Sequence, residues 1–133
     1  MKFRNFKMVG YVVYGRGCFD QLDEILEPQR KNNAPMIFLL DHFFQNKPLE
    51  KRIPLRGNDE IILADVTYEP KTSYVDKLAQ QLKEKFGTVS GIIGIGGGST
   101  MDLAKAISLM MNNTGSSADY QGWDLEKKPG VYK

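Results

Sequence analysis

Apolar positions along the chain follow several different spacings, and each predicts its own element. Val9 to Tyr14 alternates and is β-branched, and Gly15 and Gly17 close it, which predicts an edge strand, alone or in a hairpin. In CFDQLDEILEPQRKN, Phe19, Leu22, Ile25 and Leu26 fall at helical spacing with Asp20, Asp23 and Glu24 opposite, predicting a surface helix that ends near Pro28 or Lys31. Three apolar runs have the character of buried parallel strands: MIFLL before Asp41, EIILADV from Glu60, and VSGIIGIG before a glycine cluster. Between the last two, SYVDKLAQQLKEKFG carries Tyr74, Leu78, Leu82 and Phe86 on one stripe and predicts a helix stopping at Gly87. A further helical pattern follows Ser99. The stretch HFFQNKPLEKRIPLRGND has no clear period, and MNNTGSSADYQGWDLEKKPGVYK is polar and turn-rich, with Tyr120 and Trp123 as candidate packing anchors.

Alternating strands and helices predict an α/β fold, a Rossmann-like open, mostly parallel sheet with helices on both faces. There is no internal repeat, and 133 residues make one domain by length. A nucleotide-binding sheet of this kind usually has more strands than can be counted here, so the expectation is a truncated domain.

Composition narrows the chemistry mainly by exclusion. The formal net charge is +2 without a dense basic cluster, so there is no electrostatic case for nucleic acid. Cys18 is the sole cysteine and His42 the sole histidine. No intrachain disulfide, multi-thiolate site or histidine cluster can form from them. MKFRNFKMVG is followed by no apolar run of signal length, and no stretch has the roughly 18 apolar residues of a spanning helix. A cytoplasmic protein with no membrane partner is expected.

The chemistry concentrates in IIGIGGGSTMDLAKAISLM. In open α/β sheets, ligands bind beyond the carboxyl ends of the strands, where helix N-termini present unpaired N–H groups and partial positive charge. Gly96, Gly97 and Gly98 put no side chain in the way of a pyrophosphate, and Ser99 adds a hydroxyl donor. The alternative is that the glycines only turn the chain and let helix and sheet pack closely. GIGGGS lacks the third glycine of GxGxxG, so the usual dinucleotide fingerprint is weak. Ser99 and Asp102 also satisfy S-x-x-D, which fits an N-cap pair as well as ligand contact. Lys105 is placed to pair with Asp102 or to extend toward a phosphate. Asp41, at the end of a strand, suits an adenosine ribose and would repel a 2′-phosphate, favouring NAD over NADP; a turn or N-cap role fits its position equally. His42 reads as a surface or packing residue with no identifiable partner, and Cys18 as a small buried hydrophobe.

GGGSTMDLAK, Gly96 to Lys105, resembles the GGGSxxDxAK signature of the metal-dependent, iron-containing (group III) alcohol dehydrogenases, which are related to glycerol dehydrogenase and dehydroquinate synthase. VVYGRGCFDQL, the strand ending in Asp41, and YEPKT from Tyr68 stand in the order of that family. The resemblance spans nearly the whole chain. It implies a dehydroquinate synthase-like N-terminal domain over 1–133, incomplete, with NAD or NADP held at its pyrophosphate by Gly97, Gly98 and Ser99. Asp41 would lie near the adenosine ribose and Asp102 would face the cofactor side of the cleft. Glu69 stands where the family usually has asparagine. The family binds Fe²⁺ or Zn²⁺ through one Asp and three His of a C-terminal helical domain, a set that these 133 residues cannot contain. Alone, the chain is expected to be inactive.

Within the family, QNKPLEKRIPL and YQGWDLEKKPGV are similar to the branch that oxidises the C8 hydroxyl of 3-deoxy-manno-octulosonate to an aldehyde, for an 8-amino sugar of lipopolysaccharide. The substrate implied is that sugar acid, with glycerol or a small alcohol as the rival. A stand-alone nucleotide- or phosphate-binding module without catalysis is the competing class. The apolar VVY edge also leaves a homodimer open.

Overall fold

The computed structural model describes residues 9–122 and 124–133. Trp123, one of the two expected anchors, lies outside the described residues, as does most of MKFRNFKMVG. Its centre is a three-stranded parallel sheet of order β2-β1-β3, with β1 Met36–Asp41, β2 Glu60–Ala64 and β3 Gly91–Ile95. All three apolar runs are strands, and their parallel pairing is what unbroken hydrophobicity predicts for a sheet covered on both sides.

The pleat of β1 divides the core in two. Ile37 and Leu39 face one side and pack with Val75, Leu78 and Leu82 of α2 (Thr72–Phe86) and with Leu103 and Ile107 of α3 (Gly98–Met111). Met36, Phe38 and Leu40 face the other, against Leu26, Ile53, Ile93 and Ile95. Every one of those five β1 side chains is fully buried, each worth about 1.5–3 kcal/mol of hydrophobic transfer. Leu26 belongs to a composite helical segment: a 3₁₀ turn Cys18–Gln21, α1 Leu22–Leu26, and a second 3₁₀ turn Glu27–Gln29. Helices thus cover both faces, as expected for a Rossmann-like open sheet. The α2 helix ends at Gly87, whose φ of 70° suits glycine and whose N–H reaches Lys83 O at 2.9 Å.

One expectation is corrected. Val9 to Tyr14 is not an edge strand: among the described residues it pairs with nothing, and Val9, Tyr11, Val12 and Tyr14 are exposed. Alternation signals a strand only if a neighbour supplies the ladder, and β2 and β3, the sheet's two edges, are elsewhere. The stretch after Asp41, which showed no clear period, forms no α-helix. The crossover from β1 to β2 holds only 3₁₀ turns, His42–Phe44 and Glu50–Arg52, because Pro48, Pro54 and left-handed Asn46 (φ 61°) interrupt any longer helix.

The amino ends of β1 and β2 are tied by one buried carboxylate. Asp59 accepts from Met36 N at 2.8 Å, from Arg56 N at 2.9 Å and from Arg30 Nη1 at 2.8 Å. At the far end of the chain, Tyr132 O accepts from Ile92 N at 2.8 Å and Tyr132 forms a parallel bridge with Gly91. Among the described residues, no helix is long and apolar enough to cross a membrane.

Candidate functional site

The parallel register places Asp41 beside Ala64 and Leu40 beside Ile95, so the three strands end flush and their carboxyl ends form one rim. On that rim the glycines of the β3–α3 turn separate into two pairs. A Cβ on Gly94 would sit 2.9 Å from Ala104 Cβ and 3.1 Å from Thr100 O, so Gly94 lets α3 lie directly on the strand. A Cβ on Gly96 would meet Thr100 Oγ1 at 2.6 Å and Asp41 Cβ at 2.8 Å. Those two glycines serve packing. Gly97 and Gly98 face open space, with nothing within 4 Å of a Cβ on either.

Open space there adjoins uncapped backbone. Gly97 is the N-cap of α3 and no side chain caps it; the first backbone bond of the helix runs from Met101 N to Gly97 O at 3.1 Å. The N–H groups of the leading turn, Gly98 to Thr100, precede that bond and have no acceptor within the helix. Packing does not require these two glycines, whereas a backbone that approaches an anion closely does. The S-x-x-D capping expectation is corrected: Ser99 is already inside the helix, and a residue with helical geometry cannot cap its own first turn. Asp102 instead receives Lys105 Nζ at 3.2 Å, an exposed pair.

Asp41 serves as the turn reading expects. Its Oδ1 accepts from Phe43 N at 3.0 Å and caps the 3₁₀ turn, while its side chain stays partly open on the rim next to Gly96. His42 has partners after all. Its Nδ1 lies 3.1 Å from Ala64 O, 3.5 Å from Asp41 Oδ1 and 4.0 Å from Asp65 Oδ1. Asp65 is a rim residue that the sequence reading missed, although it directly follows β2, one place beyond the position at which Asp41 ends β1. The Thr67 hydroxyl and then the Thr67 N–H hold its carboxyl below the ordinary 3.8, with His42 a smaller contributor.

Beside the turn a cleft of about 400 Å³ opens between α2 and α3, lined by Glu69, Thr72, Ser99, Asp102 and Tyr120. Ser99 and Asp102 are thus together on its wall. Asp41 and Gly96 are joined to each other at the neighbouring rim and do not line it. Glu69 and Thr72, which precede and open α2, carried no sequence signal of their own beyond the YEPKT stretch. The Thr100 hydroxyl is buried under the glycine turn without a hydrogen-bond partner. Among the described residues, no group of three or more His, Cys, Asp or Glu side chains is placed to hold a metal ion.

The outer wall of the cleft is a 3₁₀ turn, Ser117–Tyr120, moored to α2 by Asp76. The Asp76 carboxylate accepts from Ser116 Oγ at 2.6 Å and from Ser117 N at 2.7 Å, and Tyr120 OH donates to Thr114 O at 2.7 Å. The Ser116 hydroxyl, foremost, holds the Asp76 carboxyl below its ordinary 3.8. A carboxyl lowered by folding stabilises above its unfolded value and loses that contribution as pH falls through the folded one. The mooring is therefore expected to be complete above pH 3.8 and to release in more acid solution; amide exchange at Ser117 followed from pH 6 to pH 2.5 would reveal it, and Asp76→Asn should show fast exchange throughout.

Comparison with known proteins covers this region and more. The profile of the family "iron-containing alcohol dehydrogenase" matches residues 10–132. A sulfoacetaldehyde reductase of Bilophila wadsworthia is 33% identical over 85 residues, which are 64% of this chain and 21% of that protein. An NAD-dependent methanol dehydrogenase of Bacillus methanolicus is 30% identical over 131 residues, 96% of this chain and 33% of that protein. The chain therefore spans between about a fifth and a third of the length of these relatives. In fold, it superposes on a sulfoacetaldehyde reductase of Bifidobacterium kashiwanohense, solved in complex with NAD⁺, with TM-score 0.65 at 24% identity, covering 83% of this chain and 29% of that one.

Proposed function

The chain belongs to the iron-containing alcohol dehydrogenase family, and from that premise we propose that it is the cofactor-binding portion of a metal-dependent, alcohol-oxidising enzyme. The observation that carries the reading is the division of the glycines: Gly97 and Gly98 leave open space in front of uncapped N–H groups at the carboxyl end of a parallel sheet. A dinucleotide pyrophosphate fits there in charge and in room. When bound there, a nicotinamide dinucleotide would supply the hydride acceptor for oxidation of an alcohol carbon. The protein's part is to present backbone donors at Gly97, Gly98 and Ser99 to the diphosphate and to set Asp41 against the adenosine ribose, favouring NAD over NADP.

The residues described do not make a metal site, so no step through Fe²⁺ or Zn²⁺ is assigned to them. By the family resemblance those ligands would belong to a C-terminal helical domain, and the relatives, of which this chain spans 21% and 33%, have room for one. The substrate we propose is the C8 alcohol of 3-deoxy-manno-octulosonate, on the strength of QNKPLEKRIPL and YQGWDLEKKPGV; lipopolysaccharide biosynthesis in the cytoplasm follows from that choice. The relatives' substrates, sulfoacetaldehyde and methanol, make small aldehydes and alcohols the rival class. A second copy packed against the exposed apolar side chains of Val9, Tyr11, Val12 and Tyr14 completes the reading, and a monomeric sedimentation profile removes that part.

Two measurements test the core of it. Calorimetry on the 133-residue chain should show NAD⁺ binding more tightly than NADP⁺, with no turnover of any alcohol; absence of binding to either sinks the assignment. The parent protein, loaded with Fe²⁺ or Zn²⁺, should yield an aldehyde trappable by a hydrazine from the octulosonate. Turnover of glycerol or methanol in its place transfers the assignment to the rival.

A further inference from the structure

Ionisable groups on the rim cluster at the ends of β1 and β2, and one of them is an imidazole. The His42 ring is half exposed, and its Nδ1 faces three oxygens: the Ala64 carbonyl at 3.1 Å, Asp41 Oδ1 at 3.5 Å and Asp65 Oδ1 at 4.0 Å. A carbonyl accepts only, so the hydrogen bond to Ala64 puts a proton on Nδ1 in either charge state and leaves Nε2 to gain or lose the second. Among the described residues, Asp41 from the end of β1 and Asp65 from the loop after β2 are the charged groups recorded against the ring. Lys47, the nearest cation along the following turn, is engaged over the Phe43 ring at 3.1 Å. With the imidazole neutral, this corner carries two carboxylates and, among the described residues, no ion pair to either from a lysine or arginine. With it protonated, a positive charge stands 3.5 Å from Asp41 Oδ1 and offsets one of the two negative charges.

We infer that His42 sets the discrimination between a 2′-hydroxyl and a 2′-phosphate on the adenosine ribose, and relaxes it as the pH falls and the ring takes up its proton. The inference rests on the placement of Asp41 against the ribose proposed above, and adds to it a pH-dependent specificity determinant. Neutral His42 leaves Asp41 free to repel a 2′-phosphate; protonated His42 opposes that repulsion. By linkage the effect must run both ways: a 2′-phosphate brought to this corner must favour the protonated ring by the same factor.

His42 is the only histidine of the chain, so its ring proton gives one unambiguous NMR titration. The probes are 5′-AMP and adenosine 2′,5′-bisphosphate, which differ only in the 2′-phosphate. The His42 midpoint is expected about 0.5 pH higher with the bisphosphate than with 5′-AMP, matching a change in relative affinity of about threefold, the scale for partly exposed charge pairs. The second arm measures the affinity ratio of the two probes at pH 5.5 and pH 8 for the native chain and for His42→Gln. Because the 2′-phosphate itself titrates near pH 6, some relaxation will remain in the variant. The native chain should exceed it by about threefold. Equal midpoints with both probes, or equal pH responses in the two proteins, overturn the role of His42. The Asp41 placement is judged separately: if Asp41→Asn leaves the affinity ratio at pH 8 unchanged, the ribose does not sit there and both readings fall.

Discussion

Replacing Asp59 with alanine is expected to destabilise the domain by about 3–5 kcal/mol, the range for removing one partner of a buried ion pair. Its side chain is 1% exposed, and it satisfies two backbone N–H groups as well as Arg30. Deleting it leaves the Arg30 guanidinium, itself mostly buried, with the Pro54 carbonyl at 3.3 Å but without a counter-charge, and leaves Met36 N without its acceptor at the first residue of the central strand. Asp59→Asn keeps an oxygen for Met36 N but turns Oδ2, the acceptor of Arg30 Nη1 and Arg56 N, into a donor, so it should lose the ion pair and still fall between the native chain and alanine. Urea unfolding measures both. A loss under 1 kcal/mol for alanine would mean that the amino ends of β1 and β2 are held by packing alone. The location matters for function: charge and hydrogen bonds close the amino end of the sheet, while the carboxyl end keeps uncapped N–H groups for a ligand.

What the sequence made legible follows from how local each cause is. Strands β1, β2 and β3 and helices α2 and α3 could be read because burial on both faces, or on one stripe, writes itself into consecutive residues. Gly87 could be read because a left-handed stop needs glycine. Val9 to Tyr14 misled because pairing depends on a neighbour, and no local pattern reports whether one exists. The 42–59 crossover was opaque because its 3₁₀ turns carry no apolar period. Around the candidate site, the glycine turn and the place of Asp41 at a strand end were legible, but the packing roles within the cluster were not. Only the three-dimensional approach of Thr100, Ala104 and Asp41 shows that Gly94 and Gly96 answer to packing while Gly97 and Gly98 do not. His42 was misjudged for the same reason: its partners Ala64 and Asp65 come from the neighbouring strand and the loop after it, more than twenty residues away.

That division of the glycines supplies the other large effect, because it predicts opposite signs within one turn. Gly96→Ala would drive a methyl to 2.6 Å from a buried hydroxyl and 2.8 Å from Asp41 Cβ, and Gly94→Ala to 2.9 Å from Ala104. Each should cost about 1–3 kcal/mol, the usual penalty for overpacking. Gly97→Ala meets nothing and sits at φ −79°, and Gly98→Ala begins a helix with open space around it. There the lost flexibility of the unfolded chain should make each variant neutral or more stable by about 0.4–1 kcal/mol. Affinity for NAD⁺ should nonetheless fall at least about tenfold in Gly98→Ala, since a methyl group then stands where a diphosphate approaches the amides, and a group forced off its donors loses charge-assisted hydrogen bonds worth about 1.5–3 kcal/mol each. Thermal unfolding and calorimetry on the same four proteins read both quantities. A gain in stability joined to a loss of cofactor identifies residues kept as glycine for a ligand. A gain in stability with cofactor affinity intact would leave the openness of this turn without a chemical purpose and would remove the pyrophosphate from it.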